Sequence, residues 1–295
     1  MSIAQTSQLS GAAAADAGPA PQRRDYTSWL ILALLLIWLA ATLFPFVLAA
    51  MNAIKTPSDY AEHGALGFPR TFDLTAITSF WVNAGFLQKL INSLMMSGGV
   101  AILAVTISLL NAYAIGIGRV KGGYTLLLIL LMTIMAPQEA LIYPLYYMLK
   151  WVGLFDNLYA LIVIIAVLMS AFGTYLLASV MSTFPREIIE AAQLDNASRW
   201  QILWKVVVPI LWPTLSVLAT FFFIWSWNEF LLPLVFLASN DNQTVSVAMG
   251  VLSGANQSDP TGIAAASLLG VLPTIIFFIL FQRTLTRGVA VGAVK

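Results

Sequence analysis

The chain has 295 residues, of which 60% are hydrophobic and 9% are charged, and its formal net charge is +1. Soluble globular domains carry about 25% charged residues, so this composition predicts a protein surrounded mostly by lipid. The small net charge gives no field that would attract nucleic acid, and the absence of cysteine excludes disulfides, zinc–thiolate sites and iron–sulfur ligation.

The chain opens with a polar tail, residues 1–26, that we predict to be disordered. It is rich in Ala, Ser and Pro and has almost no large apolar side chains to bury. Arg23 and Arg24 then precede an apolar run from Trp29 to Met51, longer than the roughly 7–15 residues of a signal-peptide core. This length favours a first membrane span or signal anchor over a cleaved signal peptide.

Six apolar stretches are long enough to cross a membrane, which takes about 20 residues of helix. They cover residues 28–52, 91–118, 123–150, 157–181, 209–237 and 262–282. The predicted fold class is therefore all-α, a polytopic membrane protein with six transmembrane helices. Its transmembrane domain covers 27–285 and is followed by a C-terminal tail, 286–295.

Lys and Arg divide unequally between the alternating connecting segments, which predicts the orientation. The set that includes both termini and residues 182–208 holds ten of them, and the other set holds four. Both termini are therefore predicted to be cytoplasmic, with outer loops at 53–90 and 238–261. The only histidine, His63, lies in the first outer loop, and we interpret it as a solvated loop residue because a metal site needs several ligands.

A polar segment at 182–208 separates two apolar runs and is predicted to form a helix, a tight turn and a second helix. Pro185 suits the start of a helix, and Asp195-Asn196 suits its end because Asn tolerates the left-handed backbone conformation. The run Ser198-Arg199-Trp200-Gln201 matches a capping box that begins a new helix. Pro209 and Pro213 then predict a bend or a restart at the entry to the next span.

This segment resembles the EAA motif of ABC importer permeases, whose form is E-A-A, three residues, G, nine residues, I-x-L-P. Glu190-Ala191-Ala192 and Pro209 match, with Val206 and Val208 in place of Ile and Leu, and every spacing is kept. The family glycine is replaced by Asn196, the next-best residue for a left-handed turn.

The resemblance extends from about residue 28 to the end of the chain. Five short runs are similar to the maltose-type carbohydrate permeases, and within them to the six-span subunit of the MalG kind. They are Asn92-Ser93, Ala112-Tyr113-Ala114, Pro144-Leu145-Tyr146, Trp227-Asn228-Glu229-Phe230-Leu231 and Gly292-Ala293-Val294-Lys295.

The resemblance implies a type I ABC importer permease fold and a coupling role for the EAA module. It implies that these residues contact a cytoplasmic ATPase: Glu190, Ala191, Ala192, Asp195, Asn196 and Pro209. The tail from Gly288 to Lys295 resembles a second ATPase contact. The implied partners are a second permease, two ATPase subunits and an extracytoplasmic solute-binding protein.

No catalytic residues, metal ligands or bound cofactor are expected on this chain. It has no G-x-x-x-x-G-K-[ST] phosphate loop, so ATP and Mg²⁺ are expected on the partner ATPases. No constellation typical of a membrane enzyme is present either.

Two acids lie inside predicted spans and are candidates for the solute pathway, because intramembrane carboxylates face a cavity or a partner. Aromatic and planar polar side chains, the groups that bind sugars, surround both. The pathway candidates are Glu139, Tyr143, Tyr146, Trp225, Trp227, Asn228 and Glu229. Ordinary explanations stay open: aromatic residues gather at membrane interfaces, and Asn228-Glu229 could hold two helices together.

The predicted function is thus the permease subunit of an ATP-driven importer of a carbohydrate, such as a di- or oligosaccharide. The first alternative is the same architecture importing glycerol phosphate or a glycerophosphodiester. A phosphate would favour Arg or Lys facing the pathway, and none lies inside the predicted spans away from their ends. The second alternative is a proton-coupled transporter that uses Glu139 and Glu229, against which the ATPase-coupling module argues.

Overall fold

The computed structural model describes residues 26–118, 120–255 and 259–293, and the side chains of these except 26–27, 253, 255 and 283–293. The predictions for residues 1–25 with Arg23 and Arg24, for Arg119 and for Val294 and Lys295 lie outside the described residues. The chain divides into two units, 1–48 and 49–295. The contacts given below are all within the second unit.

All regular secondary structure in the described residues is helical, with no strand in these ranges. The helices are α1 Tyr26–Ala53, α2 Pro57–His63, α3 Thr75–Asn83, α4 Phe86–Ala112, α5 Gly123–Met135, α6 Ile142–Trp151, α7 Leu158–Ser182, α8 Arg186–Leu194, α9 Arg199–Ile202, α10 Val208–Asn228, α11 Leu231–Phe236, α12 Val245–Ala255 and α13 Pro260–Ala293. Short π-helical turns at Tyr113–Ile117 and Leu203–Val207 extend α4 and join α9 to α10. Gln138–Leu141 and Asn240–Asn242 are 3₁₀ turns.

Five described helices are long and apolar enough to span a membrane: Ser28–Ala53, Phe86–Ile117, Leu158–Ser182, Arg199–Asn228 and Pro260–Gln282. A sixth crossing exists if α5 and the 138–151 segment form one broken span. The all-α, polytopic fold class predicted from the sequence is confirmed.

The third predicted span, 123–150, needs a correction, because its two helices meet at 96°. Ala136 and Pro137 are both extended, with ψ of 131° and 129°. A proline disfavours the helical conformation in the residue before it, so α5 ends at Met135 and the chain restarts in a 3₁₀ turn.

The fifth predicted span, 209–237, also differs at both ends. It begins earlier, because one helix runs from Arg199 to Asn228 and passes Pro209 through a π turn in which the Val208 amide donates to the Leu203 carbonyl. The predicted restart at the prolines is therefore wrong, and the predicted bend stays a prediction. It ends earlier, at extended Glu229, because the ring of Pro233 would clash with the carbonyl four residues before it in a continuous helix.

The core is built on the contact between α4 and α7. Both helices present small, buried residues at every fourth position, which lets their backbones approach closely. These are Ala104, Ser108 and Ala112 on α4, and Ala166, Ser170, Thr174 and Ala178 on α7. Ser108 donates to the Ser170 carbonyl at 3.2 Å, so a polar contact reinforces the packing.

The two loops predicted to be outer both contain helices. The 53–90 segment holds α2, α3 and the start of α4, and the 238–261 segment holds α12. His63 is not a solvated loop residue, because it ends α2 and its Nδ1 lies 2.9 Å from the Asp59 carboxylate.

Candidate functional site

The first helix of the coupling segment, 182–208, ends in a turn built by Asn196. The φ of Asn196 is +57°, the left-handed conformation predicted from the sequence. The Asn196 amide donates to the Gln193 carbonyl at 3.0 Å, and the Ala197 amide donates to the Ala192 carbonyl at 3.1 Å. These two bonds define a Schellman motif, which satisfies carbonyls that the end of α8 would leave free.

The second helix begins at the predicted capping box. Gln201 N donates to the Ser198 hydroxyl at 3.3 Å, and Ser198 N donates to the Gln201 side chain at 2.8 Å. Only Asn196 and Ala197 separate the end of the first helix cap from this box. The turn is therefore short and hydrogen-bonded on both sides.

The coupling segment is anchored in the core along one side. Ile202, Leu203 and Val207 are at most 1% exposed. Ala192 and Ala197 pack more loosely against the same core. The Tyr113 hydroxyl, at the start of the π-helical extension of α4, donates to the Arg199 carbonyl at 2.9 Å.

The other side of the segment is exposed and combines charge with apolar surface. Glu190, Ala191, Asp195, Asn196 and Pro209 are all exposed, and Ala192 is half-buried. Leu194 is 83% exposed and Trp200 is 61% exposed. Within the described part of the chain, Glu190 and Asp195 form no ion pair. Such a surface suits a partner that covers the apolar groups and brings positive charge.

The candidates around Glu139 lie at the break between α5 and α6. Glu139 itself is exposed in the 3₁₀ turn, and Tyr143 is 75% exposed. Tyr146 is half-buried and packs edge-on against Phe155 with ring centroids 5.2 Å apart. Lys150 Nζ lies 5.6 Å from the Tyr146 ring centroid, so this ring already has intramolecular neighbours on its surface.

The candidates around Glu229 lie at the break between α10 and α11. Glu229 is only 8% exposed, and its Oε1 accepts from the Leu232 amide at 3.2 Å, so the carboxylate caps the start of α11. Asn228 is exposed and donates to the Ile224 carbonyl at 2.7 Å. This end of α10 therefore carries one buried acid and one accessible amide.

The two tryptophans have different environments. Trp225 is 45% exposed, with one edge against Phe221 at 5.4 Å between centroids. Trp227 is 5% exposed and packs against Phe277 at 5.0 Å between centroids. Trp225 has exposed ring surface that a ligand could contact, whereas Trp227 is covered by α13.

The structure thus places the pathway candidates at two helix breaks, both caused by proline. Of the two acids predicted to face a cavity or a partner, Glu139 is exposed and Glu229 caps a helix. Among the described residues no cluster of three or more His, Cys, Asp or Glu side chains could hold a metal ion.

A polar network at the start of α4 was not anticipated from the sequence. Lys89, 2% exposed, donates through Nζ to the carbonyl and side-chain oxygens of Asn240 at 2.6 and 2.9 Å. Asn92 donates to the Asp241 carbonyl at 2.6 Å, and Ser93 accepts from the Val245 amide at 2.9 Å. The Asn-Ser pair noted for its family resemblance therefore holds the loop before α12.

Comparison with known proteins identifies the family. The model of the family described as "Binding-protein-dependent transport system inner membrane component" matches residues 117–291, which is more than half of the chain. The chain belongs to this family. Members of this family of ABC transporter permeases are transport components rather than enzymes, so the chain is a transport subunit and a multi-pass inner-membrane protein. The resemblance found in the sequence is confirmed.

Two curated family members match almost end to end. The chain is 30% identical over 274 residues to the trehalose transport system permease protein SugB of Mycobacterium tuberculosis, covering 92% of this chain and 98% of that protein. It is 29% identical over 264 residues to the sn-glycerol-3-phosphate transport system permease protein UgpE of Shigella flexneri, covering 86% and 93%.

A solved structure has the same fold. It is a chain of a bacterial ABC transporter involved in the import of the acidic polysaccharide alginate, with a TM-score of 0.75 and 21% identity. The match covers 90% of this chain and 99% of that chain. The helical arrangement of the permease is therefore that of an ABC importer subunit.

Proposed function

We propose that the chain forms half of the translocation pathway of an ATP-driven carbohydrate importer and is driven through the coupling segment, 182–208. The observation that carries this proposal is the exposed, hydrogen-bonded turn at Asn196. The helix after the turn is anchored in the core by Ile202 and Leu203, and α8 before it packs on the core through half-buried Ala192. Its acids have no ion-pair partner among the described residues, and Leu194 beside them is 83% exposed. A partner that supplies basic groups and an apolar groove would complete this surface.

The geometry supports a mechanical role for this segment. The Schellman turn and the capping box join α8 to a helix of 30 residues, Arg199–Asn228, about 45 Å long at 1.5 Å per residue. Movement of α8 on a partner would therefore reach Glu229 through continuous helix. The break at Glu229, next to exposed Trp225, is where such a movement changes the surface offered to a solute.

The proposed solute is a carbohydrate, such as a di- or oligosaccharide. The trehalose permease of similar length supports this class. The side chains at the helix breaks also support it, because exposed aromatic rings and planar polar groups bind sugars by stacking and hydrogen bonding. Trp225, Asn228, Tyr143 and Glu139 are the accessible members of the set.

The proposed assembly contains a second permease, two ATPase subunits and an extracytoplasmic solute-binding protein. The family description itself names dependence on a binding protein. ATP and Mg²⁺ are assigned to the ATPase subunits, because this sequence has no phosphate-binding loop. The distribution of Lys and Arg supports cytoplasmic termini and a cytoplasmic coupling segment.

The similarity to a glycerol-3-phosphate permease supports a second candidate solute, a glycerol phosphate. The sequence identity to the glycerol-3-phosphate permease, 29%, is close to the 30% identity to the trehalose permease. Competition between the two solutes in an uptake assay distinguishes them.

The test of the proposed function is charge reversal at Glu190 in the assembled transporter. Glu190→Lys is expected to abolish ATP-dependent sugar uptake while the chain still inserts into the membrane. The introduced lysine would face the basic groups that we propose on the ATPase, and the like charges would repel. The matched control is Glu62→Lys, the same change on α2, where the Glu62 side chain is 78% exposed. Uptake by the Glu190→Lys variant as high as that of the Glu62→Lys control and of the wild-type transporter would refute the coupling role.

A further inference from the structure

A cleft of about 690 Å³ lies on the side of the permease that we propose faces outward. Its walls come from two parts of the chain that are far apart in the sequence: residues 55–89, with α2, α3 and the start of α4, and residues 240–262, with the loop before α12, α12 itself and the start of α13. Small-molecule sites occupy about 300–1,000 Å³ and combine apolar walls with a few polar groups. The polar groups that line it include Lys55, Asp73, Lys89, Asn240 and Asp259.

The two lysines of the cleft are buried but have neutral partners. Lys55, 1% exposed, donates to the Asn52 side chain at 2.8 Å and to the Gly64 carbonyl at 3.0 Å. Lys89 donates twice to Asn240. An ammonium group has three N–H donors, so each lysine retains one donor beyond these bonds.

The two aspartates of the cleft retain acceptors. Asp73 Oδ1 accepts from the amide and hydroxyl of Thr75, and Asp259 Oδ1 accepts from the Thr261 hydroxyl and the Gly262 amide at 2.9 Å each. Within the described ranges, the Oδ2 atoms of both aspartates accept no hydrogen bond. The cleft therefore offers spare donors and spare acceptors together.

We propose that this cleft is a binding site for a neutral carbohydrate, through which solute passes before it enters the membrane pathway. A sugar hydroxyl donates and accepts at once, so a polyol satisfies both the lysines and the carboxylates. The two lysines and two aspartates of the cleft have no net charge together. An anionic solute would therefore be attracted by the lysines and repelled by the aspartates, with no net electrostatic attraction to the cleft. Phe80, Val251 and Leu252 supply the apolar wall. This inference rests on the proposed carbohydrate function.

The absence of native cysteine makes a labelling experiment direct. Ser79 is exposed and lines the cleft, so Ser79→Cys places one thiol in it. Ala61→Cys, exposed on α2 and outside the lining, is the control. Maleimide labelling is measured on the assembled transporter without its binding protein, so that any protection comes from the sugar itself.

The probes are trehalose, melibiose, lactose and, as the anion, glycerol 3-phosphate. A neutral disaccharide at four times its Kd should slow labelling of Ser79→Cys about fivefold, since one site in five is then free, and leave Ala61→Cys unchanged. Adding Asp73→Asn, which keeps the oxygen bonded to Thr75 but replaces the second acceptor, should raise that Kd about tenfold. Glu62→Gln, outside the cleft, should not.

Two results would overturn the inference: no protection by any of the three disaccharides, or protection by glycerol 3-phosphate alone. Uptake by the same transporter with its binding protein is measured separately. ATP-dependent sugar uptake without cleft protection would reject this site and leave the proposed function intact.

Discussion

At the scale of single residues, Asn196 has the clearest physical assignment. The family motif has glycine at this position, and the backbone requires a φ of +57°. Asn is among the few other residues that adopt this conformation at low cost. Its identity was enough to predict the turn, because a left-handed position depends on local chemistry rather than on distant contacts.

Replacing Asn196 by Gly should therefore preserve coupling, with stability changed by less than about 1 kcal/mol. Asn196→Val should weaken coupling, because a β-branched residue in the left-handed region costs roughly 1–2 kcal/mol or more. ATP-dependent uptake of the two variants, normalised to the amount of permease in the membrane, checks this. Equal uptake by the Val variant would show that the turn conformation is not needed.

Gly173 on α7 lies where three helices meet. A Cβ there would come within 2.9 Å of Phe222 Cζ on α10 and of Ser108 Cβ on α4. Gly173→Ala is expected to destabilise the permease by about 1–3 kcal/mol through overpacking. Thermal unfolding in detergent is the measurement.

The matched control is Gly98→Ala on α4, where an added Cβ meets nothing within 4 Å. There the lower backbone entropy of Ala in the unfolded chain should raise stability by about 0.4–1 kcal/mol. The opposite signs of the two changes are the informative result. A neutral Gly173→Ala would mean that the helices separate easily at this point.

At the scale of elements, the sequence did not predict the helix breaks within two of the spans or the contacts between distant loops. A signal for each break was present, since Pro137 and Pro233 each favour one, although α10 continues past Pro213. Apolar length alone, however, made 123–150 and 209–237 look continuous. The bonds from Lys89 to Asn240 could not be foreseen, because 151 residues separate them and only the packed fold brings them together.

The α2 segment provides a pH-dependent test. The backbone amide of Arg70 donates to Asp59 Oδ2 at 3.0 Å and lowers the pKa of Asp59 below its ordinary value of 3.8; burial opposes this, and His63 assists it. The stabilisation is complete above the unfolded pKa and is lost as the pH falls through the lower folded pKa.

Hydrogen exchange should therefore show the Arg70 amide protected at pH 5 and progressively less protected below pH 3.8, the ordinary pKa. In Asp59→Asn the protection should be low and should not change between these conditions. Equal protection of the Arg70 amide in the Asp59→Asn and wild-type chains at pH 5 would contradict the assignment.

At the scale of the whole molecule, the helix Arg199–Asn228 connects the exposed turn of the coupling segment to the helix break at Glu229. The fold class, the family and the two helices of the coupling segment followed from periodicity and a spaced motif. The environments of the pathway candidates did not. Trp227 and Trp225 are two residues apart, yet one is 5% and the other 45% exposed, because α13 covers only the first. Sequence spacing cannot tell which face a distant helix will cover.

The proposed coupling role requires that residues 182–208 touch the ATPase. Photo-crosslinking from a single introduced thiol tests it most directly, because the native chain has no cysteine. Ala191→Cys, exposed on α8, carries the photo-reactive group, and Ala61→Cys on α2 is the control in the same intact transporter. Illumination is expected to join the Ala191→Cys chain to an ATPase subunit and to leave the Ala61→Cys chain unlinked. Capture of the ATPase from Ala61→Cys, with none from Ala191→Cys, would contradict it.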